Sequence, residues 1–273
     1  RRHLKNHKAN AAIDRLEVSL GINAIAAADV AVEAVAEVME VKHKVLGQLA
    51  AEMADDAILC TNTSSLSVTA MQTSTPNPER VVGMHFFNPV KKMPLVEIVR
   101  GEQTSDETVT RIAALSVALG KTPVVTRDVP GFLVNRLLGP YLDEAVRLFV
   151  EGVSPLRVDR LLVRFGMPMG PFTLLDEVGL DIAAHAAESL HEGYGARMAP
   201  TAALLGMMTP DRLGKKSGAG FYDHGRKGRR KKGSPTLMED LSGYQSSSRG
   251  MRMSDVEIVE RVVLAMVGEG ARA

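Results

Sequence analysis

Tryptophan is absent from this 273-residue chain, cysteine occurs once, and the aromatic residues together make up only 4%. A core so poor in rings has to be built mainly from alanine, valine and leucine. A single cysteine cannot form an intrachain disulfide, which points to a reducing compartment and sets the expectation of a cytoplasmic protein. That cysteine, Cys60, sits in the short apolar run "AILC" and reads as a buried strand thiol rather than a nucleophile. Charge of one sign is also lacking: 33 basic side chains stand against 32 acidic ones, a formal charge of +1. That balance argues against nucleic acid or an acidic membrane as the main partner. No apolar run has the length of a membrane span, and no apolar stretch follows the basic opening "RRHLKNHKAN" as a signal peptide requires. Metal-ligand spacings such as HExxH or paired Cys/His are missing, so no metal site is expected. The nucleophile elbow GxSxG is missing too, which argues against a hydrolase built on Ser64 or Ser65.

What is present is an ordinary globular composition, 45% hydrophobic and 24% charged, long enough for one large domain or two smaller ones. Residues 1–20 are polar with weak helical spacing, and the first residue is Arg1, which suggests a piece of a longer polypeptide. A strand pattern at 29–35 turns into a charged helix through "MEVKHKVLGQLAAEM". "DAILCTNTSSLS" is a short strand breaking into a polar loop, and "SLSVTAMQTST" reads as a helix closed by Pro76 and Pro78. "RVVGMHFF" and "LVEIVRG" are two further strands joined by a Pro-flanked loop. Residues 105–121 carry an N-cap serine, acids in the first turn, helical apolar spacing and a terminal Gly120; "TPVVTRD" is a last strand. Strands alternating with helices predict an α/β domain with a largely parallel sheet. From Pro130 onward the pattern is amphipathic and helical, with no strand periodicity, and the boundary falls near 127–131. "GRKGRRKKGS" (225–234) reads as a solvated basic linker, because no aromatic residues interleave with its charges. The tail "SDVEIVERVVLAMVGEG" is expected to be a helix with little of its own to pack on.

Three stretches carry chemistry-bearing residues: "TNTSS" (61–65), "GMHFFNPV" with "PLVEIV" (83–99), and "PGFLVNR" (130–136). His85 ends one apolar run and Glu97 lies inside the next, twelve positions later. An unpaired imidazole or carboxylate in such a setting costs several kcal/mol, so the two are expected to meet across neighbouring strands. Glu97 would accept the proton on one ring nitrogen and leave the other as an acid or base. Spacing alone leaves two readings open: a catalytic pair, or a core histidine satisfied by a salt-bridge partner.

The strings "NTSS", "HFFNPV", "MPLVEIV", "GKTPVVTRDVPGFLVNRLL", "GMPMGPFTLLDEVGLD" and "GKKSGAGFY" resemble the L-3-hydroxyacyl-CoA dehydrogenase family, in that family's order and at its spacings, from about residue 27 to 224. The opening and the basic stretch are similar to bacterial multifunctional fatty-acid oxidation proteins of the alpha-subunit type, and the tail 251–273 to the start of their second helical domain. The resemblance implies oxidation of an L-3-hydroxyacyl-CoA to a 3-ketoacyl-CoA with NAD as hydride acceptor. It implies His85 as base, Glu97 as its orienting carboxylate, Ser64 as hydrogen-bond donor to the reacting oxygen and Asn135 as a group from the helical domain. It further implies Glu37, Lys42, Asn62, Ser64 and Asn88 near the cofactor or supporting the site.

The expected layout is a partial NAD-binding Rossmann-type domain at 1–128, a helical domain at 129–224, and a basic linker with the start of a second helical domain at 225–273. The Rossmann-type part is expected to be incomplete: no glycine precedes Gly21, so the GxGxxG turn of a first βαβ unit is not present and apolar sheet edges are left unpaired. The partners implied are an acyl-CoA substrate, a hydratase/isomerase module on the same parent chain, a thiolase, and a second copy in a homodimer through the helical domain. A non-catalytic helical dimerisation or assembly fragment is the alternative reading.

Overall fold

The computed structural model describes residues 6–225, 236–237 and 239–273. The basic stretch 225–234, apart from Gly225, and the opening 1–5 lie outside the described residues. The chain divides into two units, Arg1–Asp128 and Val129–Ala273.

In the first unit a short helix α1 (Asn6–Ile13) precedes strand β1 (Val30–Glu33), helix α2 (Met39–Glu52), β2 (Ile58–Thr61), α3 (Val68–Gln72), β3 (Val81–Phe86), β4 (Leu95–Arg100), α4 (Asp106–Ala118) and β5 (Thr122–Arg127). The strands form one sheet in the order β1-β2-β3-β4-β5. β1, β2 and β3 run parallel, β4 is antiparallel to β3, and β5 is parallel to β4. The sheet is therefore largely parallel, as the alternation of strands and helices requires. Its single reversal has a local cause: residues 87–94 are a loop too short for a crossover helix, so β4 must turn back beside β3.

The sheet's core consists of Ile58, Cys60, Val82, Met84, Val96, Ile98 and Ile112. All four residues of β2 are buried, which explains why that strand reads as a continuous apolar run rather than an alternation. Among the described residues β1 pairs only with β2, and Val32, Val35 and Val38 beside it are exposed. The helices open on polar caps: Ser67 and Ser105 accept hydrogen bonds from the backbone amides of Ala70 and Thr108, both at 3.1 Å.

The second unit contains α5 (Val134–Val150), α6 (Pro155–Phe165), α7 (Pro171–Val178), α8 (Leu180–Tyr194), α9 (Ala202–Met207) and α10 (Asp255–Gly270). Proline opens α6 and α7, where its missing amide costs nothing, and Gly166 and Gly179 end them at positive φ. Three of the seven phenylalanines, Phe149, Phe172 and Phe221, meet edge-on with centroids 4.6–6.4 Å apart. The scarce aromatic content is thus concentrated in this unit's core.

Two expectations change here. The helical half is not free of strand: β6 (Tyr222–Asp223) pairs antiparallel with β7 (Thr236–Leu237). Two residues are too few to leave a period in the sequence, and the buried Asp176 carboxylate holds this segment by accepting from the amides of Phe221 (2.9 Å) and Tyr222 (3.0 Å). The tail helix, expected to have little to pack on, instead lies within the core. Ile258 and Val262 of α10 are wholly buried. Arg261 of α10 binds Glu144 of α5 and Glu151 just beyond its end, and Arg136 of α5 donates to Glu269 of α10 at 2.7 Å. A complete capping box, Ser254 with Glu257, starts the helix.

Candidate active site

The antiparallel turn from β3 to β4 puts His85 and Glu97 directly opposite each other in the register. Their side chains point to the same face, and Nδ1 of His85 lies 2.7 Å from Oε2 of Glu97. His85 is 5% exposed and Glu97 is 0% exposed. A carboxylate only accepts hydrogen bonds, so Nδ1 is the donor and the tautomer is set by the pair. The ring of Phe87, from the loop after β3, packs on the imidazole at a centroid distance of 4.5 Å. Asn88 follows on the same loop and is exposed.

A second group of polar residues gathers where β1 and β2 end, the carboxyl edge at which open α/β sheets bind ligands. Asn62 follows β2 directly, and its Oδ1 accepts the backbone amide of Phe86 at 3.1 Å, one residue beyond His85. Ser64 is exposed, and its amide donates to Glu37 Oε1 at 2.8 Å. Thr63 donates its hydroxyl to the same oxygen at 2.6 Å. Lys42 reaches into this cluster from α2: its Nζ donates to Glu33 Oε1 at 2.9 Å and to the Asn62 carbonyl at 2.9 Å, and lies 3.5 Å from Glu37 Oε2. Apart from Asn88, the expected residues of the first unit therefore fall into one connected polar edge: His85 with Glu97, then Asn62, Ser64, Glu37 and Lys42. Asn135 belongs to the second unit, at the second residue of α5.

Glu37 and Ser64 are open to solvent, whereas Lys42 is wholly buried, so its ammonium is placed to hold other protein groups. Sequence reasoning missed Glu33, the last residue of β1 and 4% exposed. Its carboxylate takes Lys42, the Thr61 hydroxyl and the Val35 amide (3.1 Å). The signal was available in "VAVE": a carboxylate closing an apolar strand, the same pattern that singles out Glu97. Phe87 was legible only as part of an apolar run. Among the described residues no cluster of His, Cys, Asp and Glu has the makings of a metal site. No helix among them is long and apolar enough to cross a membrane.

Comparison with known proteins places both units. Residues 1–129 match the family described as 3-hydroxyacyl-CoA dehydrogenase, NAD binding domain, and residues 131–224 match 3-hydroxyacyl-CoA dehydrogenase, C-terminal domain. The fatty acid oxidation complex subunit alpha of Idiomarina loihiensis is 40% identical over 98% of this chain. The chain spans 38% of that protein's length. Among solved structures, a 3-hydroxybutyryl-CoA dehydrogenase from Escherichia coli K12 is 40% identical with a TM-score of 0.77, over 81% of this chain and 48% of that one. An (S)-3-hydroxybutyryl-CoA dehydrogenase from Ralstonia eutropha is 36% identical with a TM-score of 0.77, over 80% of this chain and 78% of that one.

Proposed function

The chain belongs to the 3-hydroxyacyl-CoA dehydrogenase family, and we propose that it carries the residues for oxidising an L-3-hydroxyacyl-CoA to the 3-ketoacyl-CoA with NAD⁺. The observation that carries this reading is the buried 2.7 Å bond between His85 and Glu97, one residue from the Asn62 bond to Phe86. With the Nδ1 proton held by Glu97, Nε2 of His85 takes the proton of the substrate's 3-hydroxyl as the carbonyl forms. Glu97 then faces an imidazolium and stabilises it, as the orienting acid does in hydrolytic triads. Ser64 is assigned a hydrogen bond to the reacting oxygen, and Asn135 a further polar contact, both on the family resemblance.

Bound NAD⁺ supplies the hydride acceptor. The donor set at the β1–β2 edge suits its nicotinamide ribose end. Glu37 offers an exposed carboxylate, and Asn62 and Ser64 offer neutral amide and hydroxyl groups, the chemistry that holds ribose hydroxyls and a carboxamide. Asn88 is assigned support of the loop beside His85. Among the described residues no glycine-rich turn leads from a strand into a helix, so no residue is assigned to the pyrophosphate.

The acyl-CoA substrate, a hydratase/isomerase module on the parent chain, a thiolase partner, a homodimer formed through the helical unit and a cytoplasmic location are part of the same proposal, resting on the relatives' role as fatty acid oxidation complex alpha subunits. So is the assignment of 225–273 as a link into a second helical domain. An NADH-linked assay with acetoacetyl-CoA on the full-length protein tests the reading. Turnover that disappears in His85→Gln supports it. Undiminished turnover in that variant removes the catalytic assignment, and absence of turnover in the unaltered protein favours a non-catalytic assembly role.

A further inference from the structure

We propose that the buried Glu33–Lys42 pair is a positioning device, which locks the loop bearing Asn62 and Ser64 in the one conformation that serves the site beside His85. The inference rests on the dehydrogenase reading for its purpose, and on geometry alone for its mechanics.

The pair is costly. Both groups are removed from water, and ion pairs buried in this way are often matched or bettered in stability by apolar residues of similar volume. Stability therefore does not explain why a lysine and a glutamate occupy these positions. Their hydrogen bonds show what apolar side chains could not do. Lys42 Nζ meets oxygens of three residues: both carboxylate oxygens of Glu33 at 2.9 and 3.2 Å, the Asn62 carbonyl at 2.9 Å and Glu37 at 3.5 Å. Glu33 in turn fixes the end of β2 through the Thr61 hydroxyl and the start of the next loop through the Val35 amide.

From these two residues the order spreads outward. Glu37, steered by Lys42, receives the Thr63 hydroxyl and the Ser64 amide. Asn62, anchored by its carbonyl, keeps its side-chain oxygen on the amide of Phe86. A misplacement of about 1 Å in such groups can cost two orders of magnitude in rate, so a rigid support has functional value even at a cost in stability. Glu33 is thereby a positioning residue, acting through Lys42 on the loop that carries Asn62 and Ser64.

The experiment compares the full-length protein with Glu33→Gln and with the double variant Glu33→Gln/Lys42→Met. The second strands no buried ammonium and so guards against simple failure to fold. The first measurement is amide hydrogen exchange without cofactor. Loss of one charge-assisted contact predicts about tenfold faster exchange at Ser64 and Leu66 in both variants, with β3 and β4 unchanged. The second is steady-state kinetics with NADH and acetoacetyl-CoA. In Glu33→Gln the kcat/KM for acetoacetyl-CoA should fall about tenfold, while the shape of the pH–rate profile stays as it was. Unaltered exchange at Ser64 in the double variant overturns the proposal, as does an unaltered kcat/KM in Glu33→Gln. If the unaltered protein fails to turn over acetoacetyl-CoA, the dehydrogenase reading falls, whereas the exchange result still decides whether the pair positions the loop.

Discussion

Glu97 stands opposite His85 because β4 runs back along β3, and the two side chains close a 2.7 Å bond in a setting that admits almost no water. Had the strands been parallel, a crossover connection would have separated the two residues by many more positions. His85→Gln keeps a polar side chain of similar reach but offers no base. Its kcat with acetoacetyl-CoA is expected to fall by about 10²–10⁴-fold, with little change in the far-ultraviolet circular dichroism. A loss below tenfold would show that another group handles the proton.

Glu97→Gln retains size and hydrogen bonding but removes the charge that, in the proposed reaction, steadies the imidazolium. A Gln side chain can also offer its amide to Nδ1 and select the wrong tautomer. A kcat reduction of about 10²-fold is expected, with KM for acetoacetyl-CoA nearly constant. A change confined to KM would instead assign Glu97 to substrate binding.

Cys60 is wholly buried, and burial pushes its thiol up to about 12. At mildly alkaline pH the thiolate is therefore scarce and shielded. A disulfide reagent should leave the native protein unlabelled over a period in which the urea-unfolded chain reacts at its one cysteine. Rapid labelling of the native protein would contradict the burial of β2.

The bond from Arg261 holds the Glu151 carboxyl below its ordinary value of 4.5. A depressed folded-state pKa adds stability that is present above the unfolded value and is lost as pH falls through the folded one. Glu151 is about a quarter exposed, so solvent screening keeps the increment to about 1 kcal/mol. Glu151→Gln should lower the urea midpoint at neutral pH, and the gap to the unaltered protein should close as pH drops below 4.5. A gap that widens in acid would reverse the assigned sign.

Gly83 precedes His85 by two positions on the same strand face. A Cβ there would lie 2.6 Å from Cβ of Val99 and 2.9 Å from Cγ2 of Val68. Gly83→Ala must push β4 or α3 away, at a cost of about 1–3 kcal/mol. Thermal unfolding of this variant at an unchanged temperature would show that the contact relaxes freely.

Much of the molecule was legible before folding. Val- and Ile-rich runs, Ser105 before two acids, and Gly120 after the last apolar turn marked β1–β5 and α4 because each element is stabilised by its own residues. His85 and Glu97 could be paired in advance, since each was a polar group stranded in an apolar strand with the other as the nearest remedy. Glu33 obeyed the same logic but had no partner in sight: Lys42 looked like one of many charges on a helix face. The packing of α10 escaped for a related reason. Its apolar stripe was plain, but the surface that covers it belongs to α5, more than a hundred residues earlier.

The amino-acid order by itself determined the local elements, the change from mixed to helical character near residue 130 and the pairing of His85 with Glu97. These depend on neighbours along the chain or on the cost of leaving a charge alone. Tertiary structure decided that Lys42 is buried, that Glu33 answers it, and that α10 belongs to the helical core. Those outcomes depend on which distant segments exclude water together, and a periodicity of two or 3.6 residues carries no record of that.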